Sequence, residues 1–218
     1  MASAPLPRRD HEARARLEAV GQAARPITLA RDRAISVPGA LGELLPAGVL
    51  QRGATLTVAG TTGAGGTSLA LALAAAATTT GEWAAAIDLH GTLSGEAAAQ
   101  TGVALDRFAV IRRVPVGRWA TVVAALLESV TLVLAEMPRH VSAADARRLV
   151  SRARERGSVL VAIETSAPWS ADAALRLFAT GGTWHGLESG GGLLTARDRL
   201  VRVEGQGAAA RTRLARVG

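Results

Sequence analysis

Residues 60–73 read GTTGAGGTSLALAL, between an apolar run, ATLTV, and a helix-like run, SLALALAAAA. Glycines at a strand-to-helix junction let backbone N–H groups converge at a helix N-terminus, where the helix dipole also favours an anion. That is the chemistry of a phosphate-binding loop. The pattern G-x-x-x-x-G-K-[ST] aligns with Gly60 first, Gly65 second and Thr67 last. Gly60, Gly63, Gly65 and Gly66 permit the backbone path. Thr67 offers a hydroxyl to a magnesium ion, with Ser68 beside it. The position that should carry lysine is Gly66. A charge-assisted hydrogen bond contributes about 1.5–3 kcal/mol, so its loss weakens nucleotide binding by roughly ten- to several-hundred-fold. It also removes charge stabilisation from a transferring phosphate. A glycine turn between a buried strand and a helix is the plain alternative.

No other position supplies the missing ammonium, because all 25 Lys+Arg residues are arginine. A cation offered to phosphate must be a guanidinium or come from a partner. The absence of cysteine excludes disulfides, thiol catalysis and cysteine metal sites. Asp88, His90 and Glu136 fall at the ends of strand-like runs near the loop, where they either hold a metal or cap the following turns. His11, His90, His140 and His185 are scattered, so no nucleophile has a credible base. Arg147, Arg148, Arg152, Arg154 and Arg156 form a helix face that is either solvated or a phosphate-contacting stripe. Arg197, Arg199, Arg202, Arg211, Arg213 and Arg216 make the C-terminal tail basic; they either guard a sheet edge or, with Trp184, bind a partner. Trp169 and Trp184 are each either core or interface anchor. Aromatic residues are only 3% of the chain, too few for a platform that stacks single-stranded bases.

The elements that position these residues follow a repeating pattern. Strands are predicted at 54–60, 82–89, 108–114, 130–136 and 158–164, and helices at 67–80, about 94–102, about 118–129 and 142–156. Ser142 is the N-cap of the last helix and Gly157 its stop. Apolar strands without polar alternation, separated by helices, predict a parallel sheet buried on both faces. After about residue 181 glycine turns and strands replace helices, which predicts antiparallel strands at the sheet edge. The chain is 49% apolar with a mean hydropathy of +0.23, yet no run reaches the roughly 18–20 apolar residues of a membrane span. The N-terminus has no apolar signal core. A net charge of +7 is expected to give weak, salt-sensitive contact with nucleic acid.

The lead-in ISVPGALGELLPAGVLQRG, with the loop and its helix, resembles the RecA recombinase core over about residues 35–165. The resemblance implies an α/β RecA-like core with a mostly parallel central sheet flanked by helices and with antiparallel C-terminal strands. Together with the amphipathic stretch DHEARARLEAVGQAA and the change of pattern after 181, this gives a helical arm at 1–30, a RecA-like core at 31–180 and a β extension of the same domain at 181–218. In such ATPases a glutamate after the second strand activates water; here Asp88 is present but His90 stands at that place. The fourth strand should end in a magnesium-binding aspartate; here Ala135 or Glu136 occupies the position. With Gly66, three catalytic features are altered together. The segments matching the DNA-binding loops, MPRHVSAAD and TSAPWSADAAL, are short.

A small, arginine-rich RecA-like chain with GTTGAGGTS in place of a working phosphate loop, and with the block from RFAVIRRVP to GSVLVAI, resembles the ImuA-type proteins of bacterial damage-induced mutagenesis in their short actinobacterial form. The resemblance implies no catalysis, no required cofactor (weak ATP binding stays compatible) and a cytoplasmic, nucleoid-associated place. Its partner would be an ImuB-type inactive Y-family adaptor working with an error-prone polymerase. Trp184, Arg197, Arg199, Arg202, Arg211 and Arg213 are the expected partner surface. Weak contact with DNA or with the active recombinase is an additional expectation. The alternatives are a nucleotide-dependent DNA-binding switch or ATPase with an arginine supplied from elsewhere, a regulator of the recombinase, and a SulA-like division inhibitor.

Overall fold

The computed structural model describes residues 34–216 except 62, 166, 189, 190, 206 and 207; of residues 187, 188, 194 and 208–216 it describes the backbone alone. The expected helical arm at 1–30 lies outside the described residues.

Alternation of apolar runs with helix-forming runs gives the element order. A short strand β1 (Ala34–Ser36) leads through α1 (Gly39–Leu44) to β2 (Val49–Gln51), and the two strands pair antiparallel in a small separate sheet. Then come β3 (Thr55–Gly60), α2 (Gly66–Thr79), β4 (Ala84–Asp88), α3 (Gly95–Gln100), β5 (Phe108–Arg112), α4 (Trp119–Ser129), β6 (Leu132–Glu136), α5 (Ala143–Arg156) and β7 (Val159–Glu164). Three long strands close the chain: β8 (Leu175–Glu188), β9 (Gly191–Gly205) and β10 (Ala208–Arg216). Each core strand and helix lies within a few residues of its expected place. The caps of α5 are those predicted: Ser142 Oγ accepts from the Asp145 N–H at 3.0 Å, and Gly157 ends the helix at φ 69°.

The main sheet runs β10-β9-β8-β3-β7-β6-β4-β5. From β8 to β5 all neighbours are parallel, while β9 is antiparallel to both β8 and β10. The expected class therefore holds: an α/β protein with a mostly parallel central sheet, flanking helices and antiparallel C-terminal strands. The change of pattern read at 181 falls inside β8, which begins at Leu175 beside β3 in the middle of the sheet.

Two apolar layers sandwich the sheet. On one face Leu69, Leu73 and Ala77 of α2 pack on Leu56, Val58, Leu134, Val161, Leu177, Val201 and Val203. On the other, Trp119, Val123 and Leu127 of α4 and Ala146, Leu149 and Ala153 of α5 pack on Val133, Ala135, Leu160 and Ala162. Fully burying one such large side chain contributes about 1.5–3 kcal/mol. Val201 and Val203 belong to the first layer, so β9 completes this core as well as extending the sheet. Among the described residues no helix is long and apolar enough to cross a membrane.

Candidate functional site

The glycine loop joins β3 to α2 at the carboxyl ends of the parallel strands, where ligand sites of such sheets form. Gly60 pairs with Ala179 of β8, and a β carbon there would stand 2.8 Å from the Ala179 carbonyl oxygen, so close strand approach requires glycine. Gly63 (φ 77°) and Gly65 (φ 95°) adopt left-handed backbone, and Gly65 is the residue before the first turn of α2. No side chain caps this helix. A β carbon at Gly66 would lie 3.7 Å from Val58 Cγ1, ordinary van der Waals contact. Packing therefore leaves room for a β carbon at 66, so close approach does not require glycine there. Thr67 is exposed and Ser68 half-buried in the first turn.

Thr67 shares a narrow cleft with Asp88, Thr92, Leu93, Glu136 and Ile163. Of the two alternatives at the end of β6, Glu136 is the residue that reaches this cleft; Ala135 is buried in the opposite layer. Both carboxylates are engaged by the turn after β4. Asp88 Oδ1 accepts from the Thr92 N–H at 3.0 Å, and its Oδ2 accepts from the Leu93 N–H and from Arg112 Nε, both at 3.1 Å. Burial raises the Asp88 pKa, but the Arg112 guanidinium and the N–H groups of Leu93, Thr92 and Gly91 outweigh it and hold the carboxyl below its ordinary value. Glu136 Oε2 accepts from the Leu89 N–H at 2.7 Å and the His90 N–H at 3.2 Å, while Oε1 lies 2.7 Å from His90 Nδ1. The sequence brings Asp88, His90 and Glu136 to one place as expected, and the geometry makes them the ties of residues 88–93. Among the described residues no cluster of three or more His, Asp or Glu side chains is placed to hold a metal.

The C-terminal hairpin brings further expected residues to both faces of the sheet. Arg199 pairs with Gly182 across the β8–β9 ladder, just beyond a bulge that follows Ala179. On β9 it shares a face with Val201 and Val203, and it is 5% exposed. Its guanidinium lies against the loop: a β carbon on Gly65 would come within 2.1 Å of Arg199 Nε, 2.8 Å of Cδ and 3.1 Å of Cζ. Arg197 stands two residues away on the same face, 4.8 Å over the ring of half-exposed Trp184. Arg202 lies on the opposite face, 4.6 Å over Phe178 and paired with Glu204 at 2.5 Å. The expected basic edge is thus split by strand alternation. Arg211 and Arg213 sit on β10 opposite Val203 and Val201; their side chains lie outside the described residues. His185 Nε2 lies 2.8 Å from Asp198 Oδ2.

A family model described as the MT3502 N-terminal domain matches residues 43–171, more than half of the chain. The chain belongs to the MT3502 N-terminal domain family. No curated protein matches it. The MT3502 region contains the loop, Asp88, His90 and Glu136, and stops before β8; Arg199 and Trp184 lie beyond it.

Within the MT3502 region the arginine stripe on α5 is partly neutralised: Arg152 pairs with Glu128 of α4, Arg156 Nη2 approaches the same carboxylate at 3.7 Å, and Arg148 reaches Asp145 at 3.7 Å. Trp169 is buried, with its N–H accepted by Glu164 Oε1 through the backbone at 3.1 Å. Sequence reading missed the surface around β5, the edge strand of the MT3502 core. Leu105 is 49% exposed, Val110 37% and Val116 64%, on or beside this strand, and Trp83, 50% exposed, directly precedes its neighbour β4. Arg113, directly after β5, holds a left-handed φ of 57°, uncommon for a residue with a side chain. The signal was present in FAVIR, a short apolar run without a following partner strand, but edge position is a property of strand order.

Proposed function

We propose that this protein is a non-catalytic, RecA-like accessory factor of DNA damage tolerance that acts by binding an ImuB-type Y-family adaptor. The observation that carries the reading is the apolar edge at β5. Proteins guard sheet edges with charge, bulges or covering segments, and an edge that no strand among the described residues pairs, with apolar neighbours, is a template for a partner chain. Trp184, stacked on Arg197 at the far side of the sheet, is the second surface of the kind that anchors interfaces. The strand order is compatible with a RecA-like core, and the glycine loop sits where that core would hold phosphate. Its non-catalytic character is supported by Gly66, by His90 in the place of the water-activating glutamate, and by a Glu136 already engaged by three hydrogen-bonding contacts.

One observation favours the rival, a nucleotide-dependent switch: Arg199 reaches Gly65 and could stand in for the missing lysine. Turnover separates the two. The purified chain is expected to release phosphate from ATP no faster than a blank, with or without single-stranded DNA, and Gly66→Lys is expected to leave that unchanged because the activating carboxylate is still absent. DNA-stimulated hydrolysis that disappears on replacing Thr67 by a bulky residue would favour the switch. Capture of the adaptor from DNA-damaged cells tests the partner half directly.

A further inference from the structure

We infer that the glycine loop is closed from within the chain: Arg199 of β9 is a plug that fills the loop at Gly65 and ties it to the C-terminal hairpin. This stands independently of the adaptor reading. The contact involves the stem as well as the tip of the side chain, since Cδ, Nε and Cζ all lie where a β carbon of residue 65 would project. Only glycine leaves that space, so the loop's second motif glycine serves Arg199 here. The arginine is set in the core stripe of β9, two residues from Val201 and four from Val203, and only 5% of it is exposed. A phosphate arriving at Gly65 would have to displace this buried side chain first.

Burying a guanidinium is costly, and this one faces the positive end of the α2 dipole with Arg197 nearby. Burial first, and then the charge of Arg197, pull its pKa down. A side chain set this close to Gly65 is the arrangement of an autoinhibitory contact. It also gives Gly65 a role that does not depend on nucleotide: its missing β carbon makes room for Arg199.

Hydrogen exchange on the full chain tests this. In Arg199→Ala the amides of residues 60–67 are expected to exchange about tenfold faster or more, while the β6 and α5 amides keep their protection and Arg197→Ala leaves the loop unchanged. If alanine loosens the whole hairpin, Arg199→Met retains a stem for packing on Val201 and Val203 while removing the guanidinium, and the same local loss is expected at 60–67. A second readout uses a fluorescent ATP analogue with magnesium: the intact chain is expected not to saturate. Unchanged loop exchange in both Arg199 variants overturns the plug. So does nucleotide binding by the intact chain that Arg199→Ala abolishes, since that would make Arg199 a ligand-binding cation. Failure of adaptor capture would leave these results unaffected.

Discussion

Replacing Trp119 by alanine is expected to destabilise the fold by about 5 kcal/mol, a large part of the roughly 5–15 kcal/mol available to a domain. Trp119 opens α4 and is 1% exposed, the largest fully buried side chain. It packs in the layer between the sheet and α4–α5. Its indole Nε1–H donates to the Glu136 carbonyl at 2.8 Å. Truncation therefore removes a large apolar area, leaves a cavity, and deprives a buried carbonyl at the end of β6 of its donor; the first two cost about 3–5 kcal/mol and the last about 1–3. Trp119→Phe keeps most of the area and is expected to lose about 1–2 kcal/mol, mainly the hydrogen bond. Urea denaturation with unchanged slope measures both. A loss below about 2 kcal/mol for alanine would show that α4 does not pack as described.

Asp88→Ala is expected to cost about 3 kcal/mol at neutral pH, because it leaves Arg112, the buried N–H of Leu93 and the partly buried N–H of Thr92 without their acceptor. The pH dependence fixes the cause. Asp88 has a pKa lowered in the folded state, so its contribution is complete above the unfolded value of about 3.9 and is lost as pH falls through the lower folded value. Asp88→Asn should therefore be less stable than the parent at pH 7, with the gap narrowing below about pH 4. A gap independent of pH would mean that side-chain shape, not charge, holds the turn. Arg112 is half-exposed, and Arg112→Ala is expected to cost only about 1 kcal/mol or less.

The strands and helices of the core were legible because parallel strands buried on both faces are continuous apolar runs and because Ser142 and Gly157 punctuate α5. The lead-in pair β1–β2 was not, since strands of three residues carry too little pattern. The onset of β8 was missed because LRLFATGGTWHG mixes an apolar run with glycines, so the glycines at 181 and 182 read as a boundary when they lie inside β8, where a bulge after Ala179 is followed by the Gly182–Arg199 pair. Residue type identified Asp88, His90 and Glu136 as neighbours, but their partners are backbone N–H groups fixed by the turn. The split of Arg197 and Arg199 from Arg202 was available from strand parity alone. The approach of Arg199 to Gly65 was not, because it depends on β8 lying between β3 and β9. The two tryptophans left open by sequence took opposite places, Trp169 in the core and Trp184 half in solvent.

The proposed function requires that this chain hold an adaptor. The most direct measurement is affinity capture of the tagged chain from DNA-damaged cells, with quantitative identification of what is retained. A Y-family-like adaptor is expected to be enriched by the parent chain and lost from the double variant Val110→Lys/Trp184→Ala. Those two side chains are 37% and 52% exposed, so the variant should melt within a few degrees of the parent. Lysine on β5 blocks strand addition at that edge, and alanine removes the anchor on the hairpin. The single variants then assign the surface. A folded parent chain that enriches no such adaptor, or a folded double variant that retains it fully, would contradict the account.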